Sequence, residues 1–304
     1  MRILSFDGGG IRGLLSARII QRIEAECPGF LAKTQVFAGT SVGSFLAVLL
    51  AADIDVSEIV DILSNKGDRI FASRGFWDSI THLDELIRAD YDNKALKAEL
   101  GILVGDITLG ELSRKVLLPA FLLDNHRDPK YTDKPRAWKM KFMHNWEGGD
   151  GDVSAVDAMM RSSAAPTYFP SYQGYIDGGM ADNNPCMSAL ARSIKGGAKL
   201  EDISLLSIGT GFNPHYIEGN DHDWGFKQWL SEKRLLNVMF DGMIDPPAYQ
   251  CKQFLNSRFK RFNPVLPEVI DLADIGKVQQ LLDIANSADI TGLVAWVESY
   301  WSRE

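Results

Sequence analysis

The sequence predicts a three-layer α/β/α fold around a central sheet that is mixed and mostly parallel. Three apolar runs have the length of buried strands, namely Ile3 to Phe6, Val36 to Ala38 and Ile203 to Ile208. The first two runs lead into glycine-containing turns, and apolar residues at helical spacing follow each turn. Apolar strands that alternate with helices are typical of a mostly parallel sheet covered on both faces.

The composition is that of an ordinary globular protein. The 304 residues are 45% hydrophobic and 24% charged, which is enough to bury a full core. The net charge of -8 argues against a nucleic acid polymer as partner and against membrane recruitment by a general positive field. Three cysteines without paired spacing suit reduced thiols in a cytosolic chain, and no zinc site is indicated.

The N-terminal residues do not fit a signal peptide, and no apolar run approaches the ~20 residues that a membrane span requires. We therefore expect a cytoplasmic protein. No residue pattern calls for a metal ion or a cofactor, since the acidic turn at residues 147–152 lacks the ligand spacing of an EF-hand.

The first strand runs into the glycine loop at residues 7–13, whose sequence is DGGGIRG. Gly8, Gly10 and Gly13 fit the dinucleotide fingerprint G-x-G-x-x-G. That fingerprint expects an acidic residue ~20 positions later, at the end of the next strand, to hold a ribose hydroxyl. The next strand ends at Ala38 instead, so the second half of the fingerprint is missing.

The same loop suits a hydrolase. Glycines allow successive backbone N–H groups to approach a developing negative charge closely, which makes Gly9 and Gly10 candidate oxyanion donors. Arg12 is a candidate for steadying the loop or for binding a substrate phosphate with its planar guanidinium. The alternative for Arg12 is a solvated surface position.

The second turn, GTSVG at residues 39–43, lies between the second strand and an apolar helix over residues 45–52. A G-x-S-x-G turn reverses the backbone sharply and presents the serine hydroxyl outward, so Ser41 is a candidate nucleophile. The N-terminus of the following helix would stabilise an oxyanion formed there. The alternative is that Ser41 only caps the helix.

Further elements follow from apolar spacing between and after these motifs. We predict helices over residues 56–63, 77–100, 156–161, 276–284 and 290–301, and strands over residues 116–123 and 139–144. The aromatic and Met-rich segment beyond residue 215 is either packed on the core or forms a lid with a lipid-facing mouth. No linker or repeat divides the chain, so we predict one domain over residues 1–304.

Asp177 lies at a predicted strand end and is followed by two glycines. It is a candidate base for Ser41, and the alternative is an Asp-Gly turn. A nucleophilic serine usually has a histidine as its base, in the chain order Ser, Asp, His in α/β-hydrolases. His215 and His222 follow Asp177, so a triad with either histidine remains open at this point.

Five motifs occur together in the first 215 residues. They are DGGGIRG, GTSVG, SSAAPTYFP, DGGMADNNP and SIGTG. In their order and approximate spacing the chain resembles the bacterial patatin-like phospholipases. The resemblance ends near residue 215, and we treat residues 216–304 as a helical extension without a matching motif.

The resemblance implies a hydrolase that cleaves phospholipids or related lipids at an acyl ester, as a phospholipase A does. It implies a Ser-Asp dyad without histidine, in which Ser41 is the nucleophile and Asp177 is the base. Gly9 and Gly10 would donate to the oxyanion, and Arg12 would bind substrate. Such an enzyme needs no cofactor and contacts the membrane surface transiently while active.

Some bacterial relatives in antiviral defence are phospholipases that a cyclic nucleotide activates. The unassigned extension leaves room for such a small-molecule activator, although no residue of this sequence identifies a nucleotide site. The headgroup, the acyl position and the oligomeric state do not follow from the sequence.

Overall fold

The computed structural model describes residues 1–65 and 93–301. The strands are β1 (Arg2–Phe6), β2 (Val36–Gly39), β3 (Lys115–Leu122), β4 (Lys139–His144), β5 (Tyr175–Asp177), β6 (Ser204–Ile208) and β7 (Phe259–Phe262). The helices are α1 (Gly13–Glu26), α2 (Val42–Ala51), α3 (Val56–Asn65), α4 (Asn93–Val104), α5 (Ala155–Ser162), α6 (Cys186–Lys195), α7 (Phe226–Leu230), α8 (Arg234–Gly242), α9 (Asp245–Leu255), α10 (Val278–Ser287) and α11 (Thr291–Trp301). Most of the helix predicted over residues 77–100 lies outside the described residues, and α4 contains its last part.

The seven strands form one mixed sheet in the order β4-β3-β2-β1-β6-β7, with β5 also paired to β3. β1, β2, β3, β6 and β7 pair in parallel, whereas β4 and β5 are antiparallel to β3. This confirms the predicted mixed, mostly parallel sheet. Because β1 lies in the centre, its apolar side chains are completely buried.

Apolar side chains of the sheet divide into two clusters, one on each face. Leu4 and Phe6 of β1 belong to the first cluster, and Ile3 belongs to the second. Successive side chains of a strand point to opposite faces, so helices must cover both sides of the sheet. The first face is covered by α1 to α5, α10 and α11, and the second by α6 and α9. The three-layer prediction is therefore confirmed.

The region after residue 215 is part of this architecture. The predicted closing helices are present as α10 and α11, and the Trp301 ring of α11 is buried 5.2 Å from the Phe30 ring. The sequence analysis missed β7, which extends the central sheet by pairing with β6. Its sequence, Phe-Lys-Arg-Phe, places two charged residues side by side, and the second of them, Arg261, is half-buried in an ion pair with Asp7.

The edge of β3 that faces β2 has two successive partners. β2 pairs with Lys115 to Leu117, and β5 pairs with Ala120 to Leu122. β4 occupies the opposite edge along Leu117 to Leu122, so β5 must lie on the β2 side, beyond the point where β2 ends. The C-terminal end of β2 and the C-terminal end of β5 therefore meet at one place in the sheet.

No helix among the described residues combines the length and the apolar character that crossing a bilayer requires.

Candidate active site

Ser41 lies on the sharp turn between β2 and α2. Its backbone has φ 55° and ψ -127°, a conformation that side-chain-bearing residues rarely adopt. Both flanking glycines are required by close backbone contacts: a Cβ on Gly39 would lie 1.8 Å from Gly43 O, and one on Gly43 would lie 2.6 Å from Phe6 O. The predicted turn is therefore present, and its two glycines let α2 pack directly against β1 and β2.

Hydrogen bonds from outside the turn hold Ser41 in this conformation. Its N–H donates to Ser162 Oγ at 3.1 Å, and Ser162 Oγ donates to Pro119 O at 2.6 Å. The Ser44 hydroxyl donates to Ser41 O at 2.6 Å. Ser162 is the first residue of the SSAAPTYFP motif. Its buried hydroxyl makes both of these hydrogen bonds, which explains why the position holds a serine rather than another small residue.

Asp177, the last residue of β5, is almost completely buried. Its N–H donates to Ala164 O at 2.9 Å, and its Oδ1 accepts from the Gly179 N–H at 2.7 Å. Burial raises the pKa of this carboxyl to about 7, and hydrogen bonds from the Ser41 side chain and the Gly179 N–H oppose part of that rise. The structure therefore brings Asp177 within hydrogen-bonding reach of Ser41, which lies 136 positions earlier in the sequence.

The described histidines lie elsewhere. His215 Nδ1 lies 2.7 Å from Asp241 Oδ2, and the His222 ring packs 4.5 Å from the Trp224 ring. Within residues 1–65 and 93–301, no hydrogen bond joins a histidine to Ser41 or Asp177. His82 lies outside the described residues.

The glycine loop after β1 lies against Ser41. A Cβ on Gly8 would be 3.2 Å from Ser41 Cβ, and the Gly8 N–H donates to Asn183 O at 3.0 Å. Gly10 has φ +56°, and a Cβ there would lie 2.0 Å from Leu272 O. In the part of the chain that the structure describes, the N–H groups of Gly9 and Gly10 donate to no protein group.

Arg12 is buried, so the surface alternative for this residue is wrong. Its Nε donates to Gly9 O at 3.3 Å and its Nη1 donates to Gly211 O at 3.4 Å. Burial lowers the pKa of the guanidinium, and the nearby carboxylates of Asp241 and Asp271 raise it. The arginine thus contacts the glycine loop from behind and reaches towards a second cavity.

A buried ion pair holds the start of the same loop. Arg261 of β7 donates from Nη1 to Asp7 Oδ1 at 2.7 Å and from Nη2 to Asp7 Oδ2, and it also donates to Ser207 Oγ at 2.8 Å. Burial raises the pKa of Asp7, and the Arg261 guanidinium opposes that rise. Sequence analysis did not predict this contact, since Arg261 lies in the segment without motifs.

Two cavities adjoin the loop. A cleft of about 30 Å³ opens beside Ser41 and has mostly apolar walls, contributed by Gly10, Ser41, Val42, Phe45, Leu96, Ser163, Ala165, Tyr168, Phe169 and Leu272. A larger cavity of about 630 Å³ also has Leu272 in its wall, together with Arg12 and Phe240. We call the first the Ser41 cleft and the second, because charged side chains stand among its apolar ones, the polar cavity.

A family model described as patatin-like phospholipase matches residues 4–190, more than half of the chain. The chain belongs to the patatin-like phospholipase family. The matched residues run from β1 into α6, and they include both glycine turns, Ser41 and Asp177. Family membership supports hydrolysis of lipid esters.

Several curated proteins are similar to this member of the patatin-like phospholipase family. The cGAMP-activated phospholipase of Vibrio cholerae is 31% identical over 79% of this chain and 73% of that protein. Protein teg of Priestia megaterium is 26% identical over 99% of both chains, and patatin-like protein 2 of Arabidopsis thaliana is 29% identical over 75% of this chain and 65% of that protein. Among solved structures, VipD from Legionella pneumophila is 13% identical with a TM-score of 0.43, covering 93% of this chain and 66% of that chain.

Proposed function

We propose that this chain is a serine acyl hydrolase that cleaves phospholipids or related lipids at an acyl ester, with Ser41 as nucleophile and Asp177 as base. One observation carries the proposal: the strained Ser41 lies within reach of a buried carboxyl, that of Asp177, whose pKa burial raises to about 7. An ordinary aspartate is a weak base, because its pKa is about 3.9. At a pKa of about 7 the carboxyl is a stronger base and is still about half ionised at neutral pH.

In the first half of the reaction, the Asp177 carboxylate accepts the proton of the Ser41 hydroxyl as Oγ attacks the ester carbonyl carbon. The carbonyl oxygen becomes an oxyanion, and the N–H groups of Gly9 and Gly10 donate to it. When the C–O bond to the alcohol breaks, Asp177 returns the proton to the leaving oxygen. The products are the free alcohol and an acyl ester on Ser41.

In the second half, water attacks the acyl ester and gives its proton to Asp177. The resulting oxyanion lies in the same place as the first, so Gly9 and Gly10 donate to it again. Collapse of this intermediate releases the fatty acid, and the proton passes from Asp177 back to Ser41 Oγ. The acyl chain enters along the apolar walls of the Ser41 cleft.

The test is covalent labelling combined with substitution. We expect a fluorophosphonate probe to label Ser41, and Ser41→Ala and Asp177→Asn to lower ester hydrolysis by about 10³-fold or more in folded protein. His215→Ala and His222→Ala serve as controls that retain most activity. Near-complete loss in either histidine variant, with the fold intact, would replace the dyad with a triad.

We also propose that the enzyme contacts membranes transiently through apolar side chains around the polar cavity. Tyr216 is 85% exposed and Phe226 of α7 is 82% exposed, and Val238 and Val269 are exposed in the cavity wall. Exposed apolar groups of this kind suit the interface of a lipid surface. Phe226→Ser should weaken sedimentation with phosphatidylcholine vesicles and leave hydrolysis of a soluble ester unchanged.

A second candidate function is a phospholipase that a small molecule activates, for which the similarity to the cGAMP-activated Vibrio cholerae enzyme is the support. The relevant measurement is the lipase rate with and without a panel of cyclic oligonucleotides at micromolar concentration. Equal rates across the panel would contradict activation by these ligands. A rise with one of them would identify the activator.

A further inference from the structure

Two residues that line the polar cavity, Leu272 and Phe240, also lie close to the proposed catalytic site. Leu272 lines both cavities, and its carbonyl accepts the Ile11 N–H at 2.8 Å, directly behind the glycine loop. Phe240 lines the polar cavity, and its ring lies 2.6 Å from the position that a Cβ on Gly179 would occupy. Gly179 is the residue whose N–H donates to Asp177. A group in the polar cavity would therefore lie next to an ester held at Ser41.

Two arginines line this cavity, Arg12 and Arg234, and Arg234 donates to Gln228 O at 3.2 Å and to Ser231 Oγ at 2.7 Å. Arg12 is buried and lines the wall, yet its two hydrogen bonds are long ones to carbonyl oxygens, at 3.3 and 3.4 Å. Within residues 1–65 and 93–301, no carboxylate lies within ion-pair distance of its guanidinium. A buried guanidinium with only long hydrogen bonds to carbonyl oxygens is suited to bind a phosphate group, which can accept two parallel hydrogen bonds from it.

Two carboxylates line the same cavity. Asp241 and Asp271 are both accessible to solvent. Asp241 Oδ2 is paired with His215 Nδ1 at 2.7 Å, and Asp271 Oδ2 accepts from the Tyr168 hydroxyl at 2.8 Å. Phe240 and Tyr216 add aromatic faces to the same wall, which favour a cation near the carboxylates.

We propose that the polar cavity binds the headgroup of a zwitterionic phospholipid, with its phosphodiester at Arg12 and its ammonium group between Asp241 and Asp271. This inference rests on the proposed function, since it places the headgroup of the lipid whose ester Ser41 attacks. The volume of about 630 Å³ falls within the range of small-molecule sites. A zwitterionic headgroup offers a phosphate to Arg12 and a cation to the two carboxylates, whereas an anionic headgroup offers only the phosphate.

The experiment compares phospholipids that differ only in headgroup. Phosphatidylcholine and phosphatidylglycerol with identical acyl chains are diluted in a neutral detergent, so that the surface charge of the micelles stays constant. The quantity measured is the ratio of kcat/KM for the two lipids. This ratio cancels any general damage to catalysis, because a weaker dyad slows both substrates equally.

We expect the wild-type protein to prefer phosphatidylcholine, and Asp241→Asn and Asp271→Asn each to lower the ratio by about tenfold. Asp223→Asn is the matched control, since Asp223 is exposed in the same region and does not line the cavity. It should leave the ratio unchanged. If one pocket variant fails to fold, the other still tests the inference.

Binding to catalytically inactive Ser41→Ala protein gives a second readout. Glycerophosphocholine should bind more tightly than glycerophosphoglycerol, and Asp241→Asn should remove the difference. Equal binding of the two, or a wild-type preference for phosphatidylglycerol, overturns the inference. It is also overturned if the pocket variants change the response to cyclic GMP–AMP while the lipid ratio stays the same, because the cavity would then belong to an activator.

Failure of the headgroup inference and failure of the proposed hydrolase function would give different experimental results. If the wild-type protein hydrolyses esters and Ser41 is labelled, but the lipid ratio is unaffected by the pocket variants, only the headgroup inference is contradicted. If no ester is hydrolysed and Ser41 stays unlabelled, the proposed function itself is contradicted.

Discussion

At the scale of single residues, Ser41 is held in an unfavourable backbone conformation. Its φ of 55° brings the Cβ too close to neighbouring backbone, a strain of roughly 1–3 kcal/mol in non-glycine residues. The hydrogen bond to Ser162 and the packing of α2 maintain this conformation. The residue that we propose as nucleophile therefore lowers the stability of the fold.

A pair of substitutions measures that strain. Ser41→Ala and Ser41→Gly both remove the hydroxyl, so both should be inactive, but only glycine adopts positive φ without strain. We expect Ser41→Gly to be more stable than Ser41→Ala by about 1 kcal/mol, after allowing for the extra freedom of glycine in the unfolded chain. Urea unfolding of the two variants tests this, and a less stable glycine variant would show that the turn is not strained.

Asp177 predicts the pH dependence of activity. The carboxyl must be ionised to accept a proton, and its pKa is about 7. The value of kcat/KM for a soluble ester should therefore rise about tenfold per pH unit below 7 and level off above it. Asp182 also has a pKa of about 7 but hydrogen-bonds to Ser188, so Asp182→Asn should leave the midpoint in place. A midpoint near 4 in the wild-type protein would contradict the role assigned to Asp177.

The Asp177 carboxyl should make the stability of the fold decrease with rising pH, whereas activity increases. Because its folded-state pKa lies above the ordinary value of 3.8, the folded protein binds this proton more tightly than the unfolded chain does. The contribution to stability is fully present below about pH 4 and is lost as the pH rises to about 7. We expect Asp177→Asn to raise Tm at pH 8 and to have little effect at pH 4, which calorimetry at the two pH values can check.

At the scale of elements, the contact of α2 with β1 depends on Gly43. A methyl group there would lie 2.6 Å from Phe6 O and 2.7 Å from Asp7 O, and neither backbone atom can move easily. Gly43→Ala should therefore destabilise the fold by about 2 kcal/mol or more. Gly101 of α4 is the matched control, since no atom lies within 4 Å of its missing Cβ.

In that control, Gly101→Ala should stabilise the protein by about 0.5–1 kcal/mol, because alanine favours a helix and has room at this position. Chemical denaturation of both variants measures the two effects on the same scale. A destabilised Gly101→Ala, or an unaffected Gly43→Ala, would contradict the packing described for these helices.

The sequence predicted the elements that hold Ser41 and Asp177, the two proposed catalytic residues, because apolar runs and glycine turns act over short distances. β2 and α2 follow from such signals on either side of Ser41. β7 could not be predicted, because its membership of the sheet depends on pairing with β6 and on the partner of Arg261. Arg12 was similarly ambiguous, since burial of a single arginine is decided by residues nearly 200 positions away.

At the scale of the whole molecule, the ion pair between Asp7 and Arg261 joins residues 254 positions apart. Arg261→Met leaves Asp7 as an unpaired buried charge, which should destabilise the protein by about 3–5 kcal/mol. Because Asp7 is the first residue of the glycine loop, kcat should fall as well. Arg136→Met is the control, since that arginine forms a solvent-screened ion pair with Asp124 at the surface and its loss should leave the stability nearly unchanged.

A double variant separates the loss of the pair from the burial of a charge. Adding Asp7→Asn to Arg261→Met removes the unpaired carboxylate and should restore part of the stability. Thermal unfolding of the single and double variants gives the coupling energy. An additive result would contradict the ion pair.

The extension after residue 215 should be required for folding. A chain that ends at residue 215 lacks β7, so β6 becomes an edge strand of the sheet. The residues of β6 are all buried, as is typical of a strand inside a sheet rather than at its edge. It also lacks α10, which packs on α1. We expect this truncated chain to show no cooperative thermal transition, as followed by circular dichroism. A folded, active fragment would show that residues 1–215 are an independent domain.

The pairing of β2 and β5 with the same edge of β3 determines where this fold tolerates insertions. Leu117 pairs with Ala38 of β2 and Ala120 pairs with Asp177, so three residues of one strand, at about 3.3 Å each, set the spacing between the Ser41 turn and Asp177. The long connections between α2 and β5 do not enter that distance. Insertions in those connections can therefore alter the surrounding surface without moving Ser41 relative to Asp177, whereas an insertion in β3 between Leu117 and Ala120 would separate them.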